Sequence, residues 1–189
     1  MHPFRQFIHH YTTLREEDWN TIQKSLQPVK FEKGELLLKE GQICKDLYFL
    51  EHGLLRFFAL HHGEEITKFF TDAPYTFTSQ KSFTEKKPAT ESIQAIEPSA
   101  VWKLSVEKAY ELLHIPAWSE FVRCLIQEVQ FYTENLLLEM QTETAENRYR
   151  KMLEEQPEFV QRIPIKYLAS YFGIAPQSLS RIRKQMLRK

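Results

Sequence analysis

Residues 29–104 are divided into short apolar runs that alternate with turn-forming residues, and this spacing constrains the fold more than any other feature of the chain. The runs cover residues 29–31, 36–38, 47–50, 54–60, 66–70, 92–96 and 100–104. The turns between them carry Gly34, Gly41, Gly53, Gly63 and Pro98. Short strands at intervals of about 8–12 residues are typical of an antiparallel sandwich or barrel. Residues 71–90 interrupt the pattern, and we expect a polar loop there with a short helical segment.

Helical patterns flank the predicted sheet on both sides, so the fold class is predicted to be α+β. Residues 1–27 are predicted to be helical, and Ser105 is the expected N-cap of the helix after the last strand. Pro116 opens a long helix whose apolar stripe is wider than a coiled-coil seam. Such a stripe suits a helix that packs on its own domain and on a partner helix. A helix buried within one chain is the alternative.

Three shorter helices are predicted to follow, over residues 145–155, 164–172 and 176–187. Where two of them meet at a large angle, Ala169 supplies the small residue, and Gly173 tolerates the left-handed backbone of a tight turn. Pro176 fits the first turn of the last helix. This combination predicts a helix-turn-helix. The chain is therefore divided into residues 1–116, 117–144 and 145–189.

The last helix is predicted to have one buried face and one polar face. Projected at about 100° per residue, Leu179, Ile182 and Met186 fall on the buried face. The candidate DNA-contacting residues are Gln177, Ser178, Ser180, Arg181, Lys184 and Arg188. The early positions are placed to reach base edges, and Lys184 and Arg188 better suit phosphates. An amphipathic terminal helix with a basic solvent face is the alternative.

The distribution of charge agrees with a nucleic-acid contact. The formal net charge is zero, but residues 145–189 hold ten Lys and Arg against four Asp and Glu, a net charge of +6. The rest of the chain then carries −6. A basic end on an acidic body favours local binding to nucleic acid. A solvated helix with scattered charge would produce the same count.

Several other classes of protein are not expected. Two cysteines, Cys44 and Cys124, are too few to hold an iron–sulfur cluster. The seven histidines lack the spacing of metal ligands, so we expect no metal and no cofactor. We find no phosphate-binding loop and no nucleophile elbow, so an enzyme is not expected. Since no apolar run is long enough to span a bilayer and no signal peptide is evident, we expect a cytoplasmic protein without a membrane partner.

The turns, strands and C-terminal helices together resemble the Crp/Fnr family of bacterial transcription regulators. In the first half the resemblance rests on Lys33-Gly34-Glu35-Leu36-Leu37, Glu40-Gly41, Leu47-Tyr48-Phe49-Leu50, Gly53-Leu54-Leu55-Arg56 and Gly63-Glu64-Glu65-Ile66-Thr67. These segments match the family's cyclic-nucleotide-binding β-roll, a double-stranded β-helix. In the second half, Leu168-Ala169 and Leu179-Ser180-Arg181-Ile182 resemble the family's helix-turn-helix, with Arg181 at the arginine that reads a guanine. The helix 117–144 resembles the central dimerisation helix.

The resemblance also shows where this sequence departs from the family. The family's phosphate-binding cassette has a Gly-Glu-Leu segment and an Arg followed by Ser or Ala, which hold the ribose and the cyclic phosphate. Here Ser79 and Ala89 stand at the Glu and Arg positions, and Thr90 follows. The ligand pocket formed by Ser79, Ala89 and Thr90 is therefore degenerate, and we expect no response to cyclic AMP. The winged-helix-like C-terminal part is expected to have a truncated wing.

The resulting functional hypothesis is a homodimeric, sequence-specific regulator that binds double-stranded DNA. A small-molecule effector other than a cyclic nucleotide is a further expected partner, as is RNA polymerase. The alternative is a small-molecule-sensing signalling module whose C-terminal helices make only protein contacts. The basic face around Arg181 favours the hypothesis of a DNA-binding regulator.

Overall fold

The computed structural model describes residues 1–186, and within them two four-stranded antiparallel sheets face each other. The strands are β1 (Gln27–Phe31), β2 (Leu36–Leu38), β3 (Asp46–His52), β4 (Leu54–His61), β5 (Glu64–Asp72), β6 (Tyr75–Phe77), β7 (Ser92–Ala95) and β8 (Ser99–Ser105). The first sheet has the order β1-β8-β3-β6, and the second has the order β2-β7-β4-β5. The predicted α+β fold with an antiparallel roll is confirmed.

The interior of the roll is filled by aliphatic and aromatic side chains from both sheets. Leu50, Leu55 and Ile93 are completely buried. The ring of Phe57 stacks on Phe69 at a centroid distance of 4.1 Å, as neighbouring aromatic rings prefer. Fully burying one such side chain stabilises the fold by roughly 1.5–3 kcal/mol. This core therefore holds the two sheets together.

Short helices close the ends of the roll. They are α1 (Pro3–Ile8), α2 (Glu16–Gln23), α3 (Gln80–Glu85) and α4 (Val106–Glu111), followed by a 3₁₀ turn at Leu112–His114. Ser105 caps α4 as predicted, since its hydroxyl accepts a hydrogen bond from the Lys108 N–H at 3.3 Å. The predicted loop 71–90 is more ordered than expected, because it contains β6 as well as α3. Strand β6 is stabilised by pairing with β3, in which Tyr48 lies opposite Phe77. These two strands are distant in sequence, so the pattern of residues 71–90 alone does not predict β6.

The first half of helix α5 (Pro116–Thr142) packs on the core of the roll, and the Tyr11 hydroxyl donates a hydrogen bond to Glu128 at 2.7 Å. Trp118 and Phe121 are completely buried, and the Trp118 indole donates a hydrogen bond to the Ala109 carbonyl at 3.1 Å. From Ile126 onwards the helix exposes large apolar side chains, among them Val129. None of the described helices combines the length and apolarity needed to cross a bilayer.

Four helices follow α5, namely α6 (Ala145–Glu155), α7 (Pro157–Arg162), α8 (Ile165–Phe172) and α9 (Pro176–Met186). Helix α7 was not predicted, since its six residues are too few to show a helical period. The four helices enclose a second apolar core, which also takes in Leu54 of β4 and the neighbouring Ile96. The outer face of the second sheet is therefore covered by the C-terminal helices.

Candidate nucleic-acid interface and ligand pocket

The turn between α8 and α9 is built as the sequence predicts. Gly173 has a left-handed backbone, with φ of +69° and ψ of 30°. The Ile174 N–H donates to the Ala169 carbonyl at 3.0 Å, and the Gly173 N–H donates to the Ser170 carbonyl at 3.2 Å. These two bonds satisfy carbonyls that the end of a helix leaves free. Helix α8 is thus terminated sharply, and the chain reverses into α9.

Apolar packing fixes the two helices against each other and against α6 and α7. Leu168, Ala169 and Leu179 are completely buried, as predicted, while Ile174 and Ile182 pack on the same cluster and are partly buried. This core has a further member in α6 that the sequence pattern did not predict. Tyr149 is completely buried, and its hydroxyl has no hydrogen-bond partner among the described residues. Burial raises the pKa of this phenol.

The polar face of α9 points away from this core. Gln177, Arg181 and Lys184 are exposed, in agreement with the helical projection. Ser178 and Ser180 are half-buried at the edge of the same face. The remaining predicted DNA-contacting residue, Arg188, lies outside the described residues. Arg183 is half-buried on the other side of α9, near Tyr149, and is not part of this face.

The predicted ligand-pocket residues lie near one another but have different environments. Ser79 is 2% exposed and precedes α3, Ala89 is 4% exposed, and Thr90 is exposed. The Ala89 N–H donates to the Gln42 carbonyl at 2.8 Å, which holds this segment against the β2–β3 connection. Lys86 and Lys87 are both exposed, and Lys87 pairs with Glu85 at 2.9 Å. They therefore supply no buried cation to the pocket.

A carboxylate that sequence reasoning missed occupies the buried side of this pocket. Glu91 is 7% exposed, and it accepts a hydrogen bond from the Ser79 hydroxyl at 2.8 Å. Its other oxygen forms an ion pair with Lys68. Lys68 stands at the β-bulge of β5, where Phe57 pairs with Phe69 but Phe58 pairs with Thr67. A buried carboxylate needs such partners, because burying an unpaired charge is costly.

The strand pattern contains a signal for Glu91 but none for Lys68. Glu91 lies two residues before Ile93, which is completely buried in the roll, so strand alternation places both on the inner face. For Lys68 the bulge shifts the alternation by one residue. Because bulges are set by the pairing of two strands, the side on which Lys68 lies could not be predicted from β5 alone.

The described residues contain no group of three or more His, Cys, Asp or Glu side chains arranged to hold a metal ion. Cys44 is buried and Cys124 is half-buried, and both are free thiols. The polar groups considered for binding are the exposed face of α9 and the Lys68–Glu91–Ser79 cluster.

Comparisons with known proteins agree with this architecture. Residues 28–115 match the family model of the cyclic nucleotide-binding domain. No curated protein sequence matches the chain.

Solved structures with the same fold include three proteins from different organisms. The catabolite activator protein of Thermus thermophilus has 20% sequence identity and a TM-score of 0.59, over 94% of this chain and 86% of its own. FixK2 of Bradyrhizobium japonicum has 15% identity and a TM-score of 0.74, over 86% and 85%. A proposed regulator of the Crp/Fnr family from Eubacterium rectale has 16% identity and a TM-score of 0.73, over 92% and 84%.

These matches define the fold. Residues 28–115 are similar to the cyclic nucleotide-binding domain, and the chain as a whole shares the fold of solved structures that include a Crp/Fnr-family protein. The predicted resemblance to this family is confirmed.

Proposed function

We propose that this protein is a sequence-specific DNA-binding transcription regulator of Crp/Fnr type, and that α9 is its recognition helix. The observation that carries the proposal is the polar face of α9. Gln177, Arg181 and Lys184 are exposed there, while the opposite face is fixed by the apolar core around Leu179. A helix held in this way enters the major groove as a rigid unit. The net charge of +6 over residues 145–189 favours the approach to phosphates.

The residues of this face have different roles in the proposal. Arg181 lies in the second turn of α9, and a guanidinium there reaches the O6 and N7 atoms of a guanine with two parallel hydrogen bonds. Lys184 lies about one turn further along, where an ammonium neutralises a phosphate. The first contact specifies sequence, and the second adds affinity without specificity.

These roles predict different effects of two substitutions. Arg181→Ala is expected to weaken binding to the preferred site by about 1–3 kcal/mol and to change binding to random DNA little. Lys184→Ala is the matched control, and it is expected to weaken binding to both DNAs equally and to lower the salt slope by about one. The preferred site is first selected from a random pool with the unaltered protein, and fluorescence anisotropy at several salt concentrations measures each affinity.

Two results would contradict this assignment. Equal losses on preferred and random DNA for Arg181→Ala would mean that Arg181 contacts phosphate. If the unaltered protein selects no sequence and its weak binding is insensitive to salt, the protein is not a DNA-binding regulator.

The proposed regulator is a homodimer that assembles through α5. The helix exposes Ile126, Val129, Leu137 and Met140, each of them at least 46% exposed, and helical projection places them within about 80° of one another. A continuous apolar stripe of this kind is typical of a surface that another helix covers. A two-fold dimer would place its two recognition helices about 34 Å apart, which calls for an inverted-repeat DNA site.

A pair of lysine substitutions on α5 tests the dimer. Val129→Lys puts a charge in the apolar stripe and is expected to convert a dimer to a monomer at micromolar concentration, because burying that charge is costly. Phe131→Lys is the control, since Phe131 is 59% exposed and lies about 200° around the helix from Val129. Sedimentation velocity measures both. A monomeric unaltered protein, or equal effects of the two substitutions, would contradict the proposed interface.

We also propose that this regulator does not respond to cyclic AMP or cyclic GMP. A cyclic phosphate that enters the roll needs a buried cation, because an unpaired anion loses its hydration without compensation. Lys68 is held by Glu91, and Glu91 also accepts the Ser79 hydroxyl. An entering anion would have to break this pair and lie beside a carboxylate. Ala89 supplies no charge in exchange.

Calorimetric titration with each nucleotide tests this proposal. The unaltered protein is expected to show no binding at low micromolar concentration. The double variant Ala89→Arg with Glu91→Ala is expected to gain measurable affinity, since a hydrogen bond to a charged group contributes about 1.5–3 kcal/mol. Ala89→Arg alone is the control and should gain less, because Glu91 then remains available to pair with the new arginine. A dissociation constant in the low micromolar range for the unaltered protein would contradict the proposal.

A further inference from the structure

Helix α8 is fastened to the outer face of the second sheet by a buried arginine. Arg56 of β4 is 1% exposed. Its guanidinium lies 3.9 Å from the ring centroid of Tyr167 on α8 and 4.4 Å from that of Phe58. The same group donates to the Thr67 hydroxyl at 2.8 Å and pairs with Glu65 at 2.6 Å. Arg56 is thus enclosed by side chains of the roll on three sides and by α8 on the fourth.

A serine of α8 completes the edge of the same sheet. Strand β5 is the last strand in its sheet, so part of its backbone lacks a neighbouring strand. The Thr67 N–H donates to the Ser170 hydroxyl oxygen at 2.9 Å, and the Ser170 hydroxyl donates to the Glu65 carbonyl at 2.9 Å. One side chain therefore satisfies two backbone groups that would otherwise need water. The bonds also fix the position of α8 along β5.

A third contact ties α7 to the end of the roll. Arg162 pairs with Asp72 at 2.8 Å and with Glu97 at 2.5 Å, and it also donates to the Gly53 carbonyl at 3.3 Å. The hydrogen bond to Glu97, with a further contribution from Asp72, raises the pKa of Arg162 above its ordinary value. Arg162 remains charged at any physiological pH, so this contact does not act as a pH switch.

Apolar contacts lie between the polar contacts of Arg56, Ser170 and Arg162. Leu54 is completely buried against the C-terminal core, and the ring of Phe70 lies 5.6 Å from Tyr171 and 6.2 Å from Phe159. The contact region thus combines a buried apolar centre with directional hydrogen bonds, which together select one orientation of α8 on the sheet.

The contact leaves the polar face of α9 free. Gln177, Arg181 and Lys184 stay exposed while α8 is docked, so docking does not mask the proposed recognition surface. Without the docking, α5 and α6 would be joined by Glu143 and Thr144, both in extended conformation. The surface ion pair Lys151–Glu139 and the neighbouring side chains of Tyr132 and Tyr171 also span this junction. A surface ion pair is worth little by itself. The C-terminal helices would then be free to pivot at this junction.

We propose that the contact of Tyr167 and Ser170 with β4 and β5 fixes the relative position of the two recognition helices in the dimer, and so sets the spacing of DNA half-sites that the protein accepts. This inference rests on the proposed function. Two rigidly held helices bind together only when the half-sites match their separation and rotation. Two pivoting helices accept several spacings, with a lower maximum affinity.

The test uses a series of inverted repeats whose half-sites are moved apart by one base pair at a time. Each added base pair rotates one half-site by about 35° relative to the other. The unaltered protein is expected to prefer one spacing by at least about tenfold over its neighbours. The double variant Tyr167→Ala with Ser170→Ala is expected to reduce this preference to about threefold or less, with unchanged affinity for a single half-site. Gln161→Ala, at an exposed position on α7, is the control and should retain the preference.

The outcomes separate this inference from the proposed function. If the unaltered protein binds no specific DNA, the proposed function fails. If it binds and the double variant keeps the same spacing preference, the proposed function stands and the inference is wrong. If the double variant also loses its affinity for a single half-site, it has lost its fold. The single variant Ser170→Ala then tests the inference, because it removes two hydrogen bonds and leaves the apolar contacts. An unchanged spacing preference in Ser170→Ala would then overturn the inference.

Discussion

Strand β4 of the second sheet is buried on both faces from Leu54 to Phe58, and the rest of the molecule depends on this packing. The inner face of β4 points Leu55 and Phe57 into the roll, and its outer face points Leu54, Arg56 and Phe58 at the C-terminal helices. If the C-terminal helices left the sheet, Leu54 and Ile96 would be exposed to water. Fully burying one such side chain is worth roughly 1.5–3 kcal/mol. The hydrogen bonds of Ser170 and the contact of Arg56 with Tyr167 then select the orientation of α8 on the second sheet.

Much of this architecture could be predicted because strands and amphipathic helices leave strong local signals. The continuous apolar run of β4 even contained the evidence for two-sided burial, since an alternating pattern would be expected if one face were in water. What could not be predicted depends on partners distant in sequence. Strand β6 is three residues long and is stabilised by pairing with β3. Helix α7 has six residues and is held to the roll by Arg162.

The candidate sites likewise differ in how far the local sequence pattern predicts them. The exposed face of α9 follows from helical periodicity, so Gln177, Arg181 and Lys184 were placed correctly on it. The ion pair at the ligand pocket does not follow from periodicity alone, because Lys68 reaches Glu91 from a bulge in β5. The resemblance to the family located Ser79 and Ala89 and gave no indication of the carboxylate beside them. In our proposal, the ion pair between the buried Glu91 and the exposed Lys68 makes the roll a scaffold for the C-terminal helices rather than a cyclic-nucleotide sensor.

The central claim is that the roll and the C-terminal helices form one body, and hydrogen exchange at a single backbone amide tests it most directly. The Thr67 N–H lies on the edge strand β5 and donates to Ser170 across the contact. If the two parts move together, the Thr67 amide is protected from exchange in the unaltered protein. Ser170→Ala then accelerates the exchange of this amide, while the exchange rates of amides in the central strand β4 do not change. Exchange of the Thr67 amide at the rate of an unstructured chain in the unaltered protein would show that α8 is not docked on the sheet in solution.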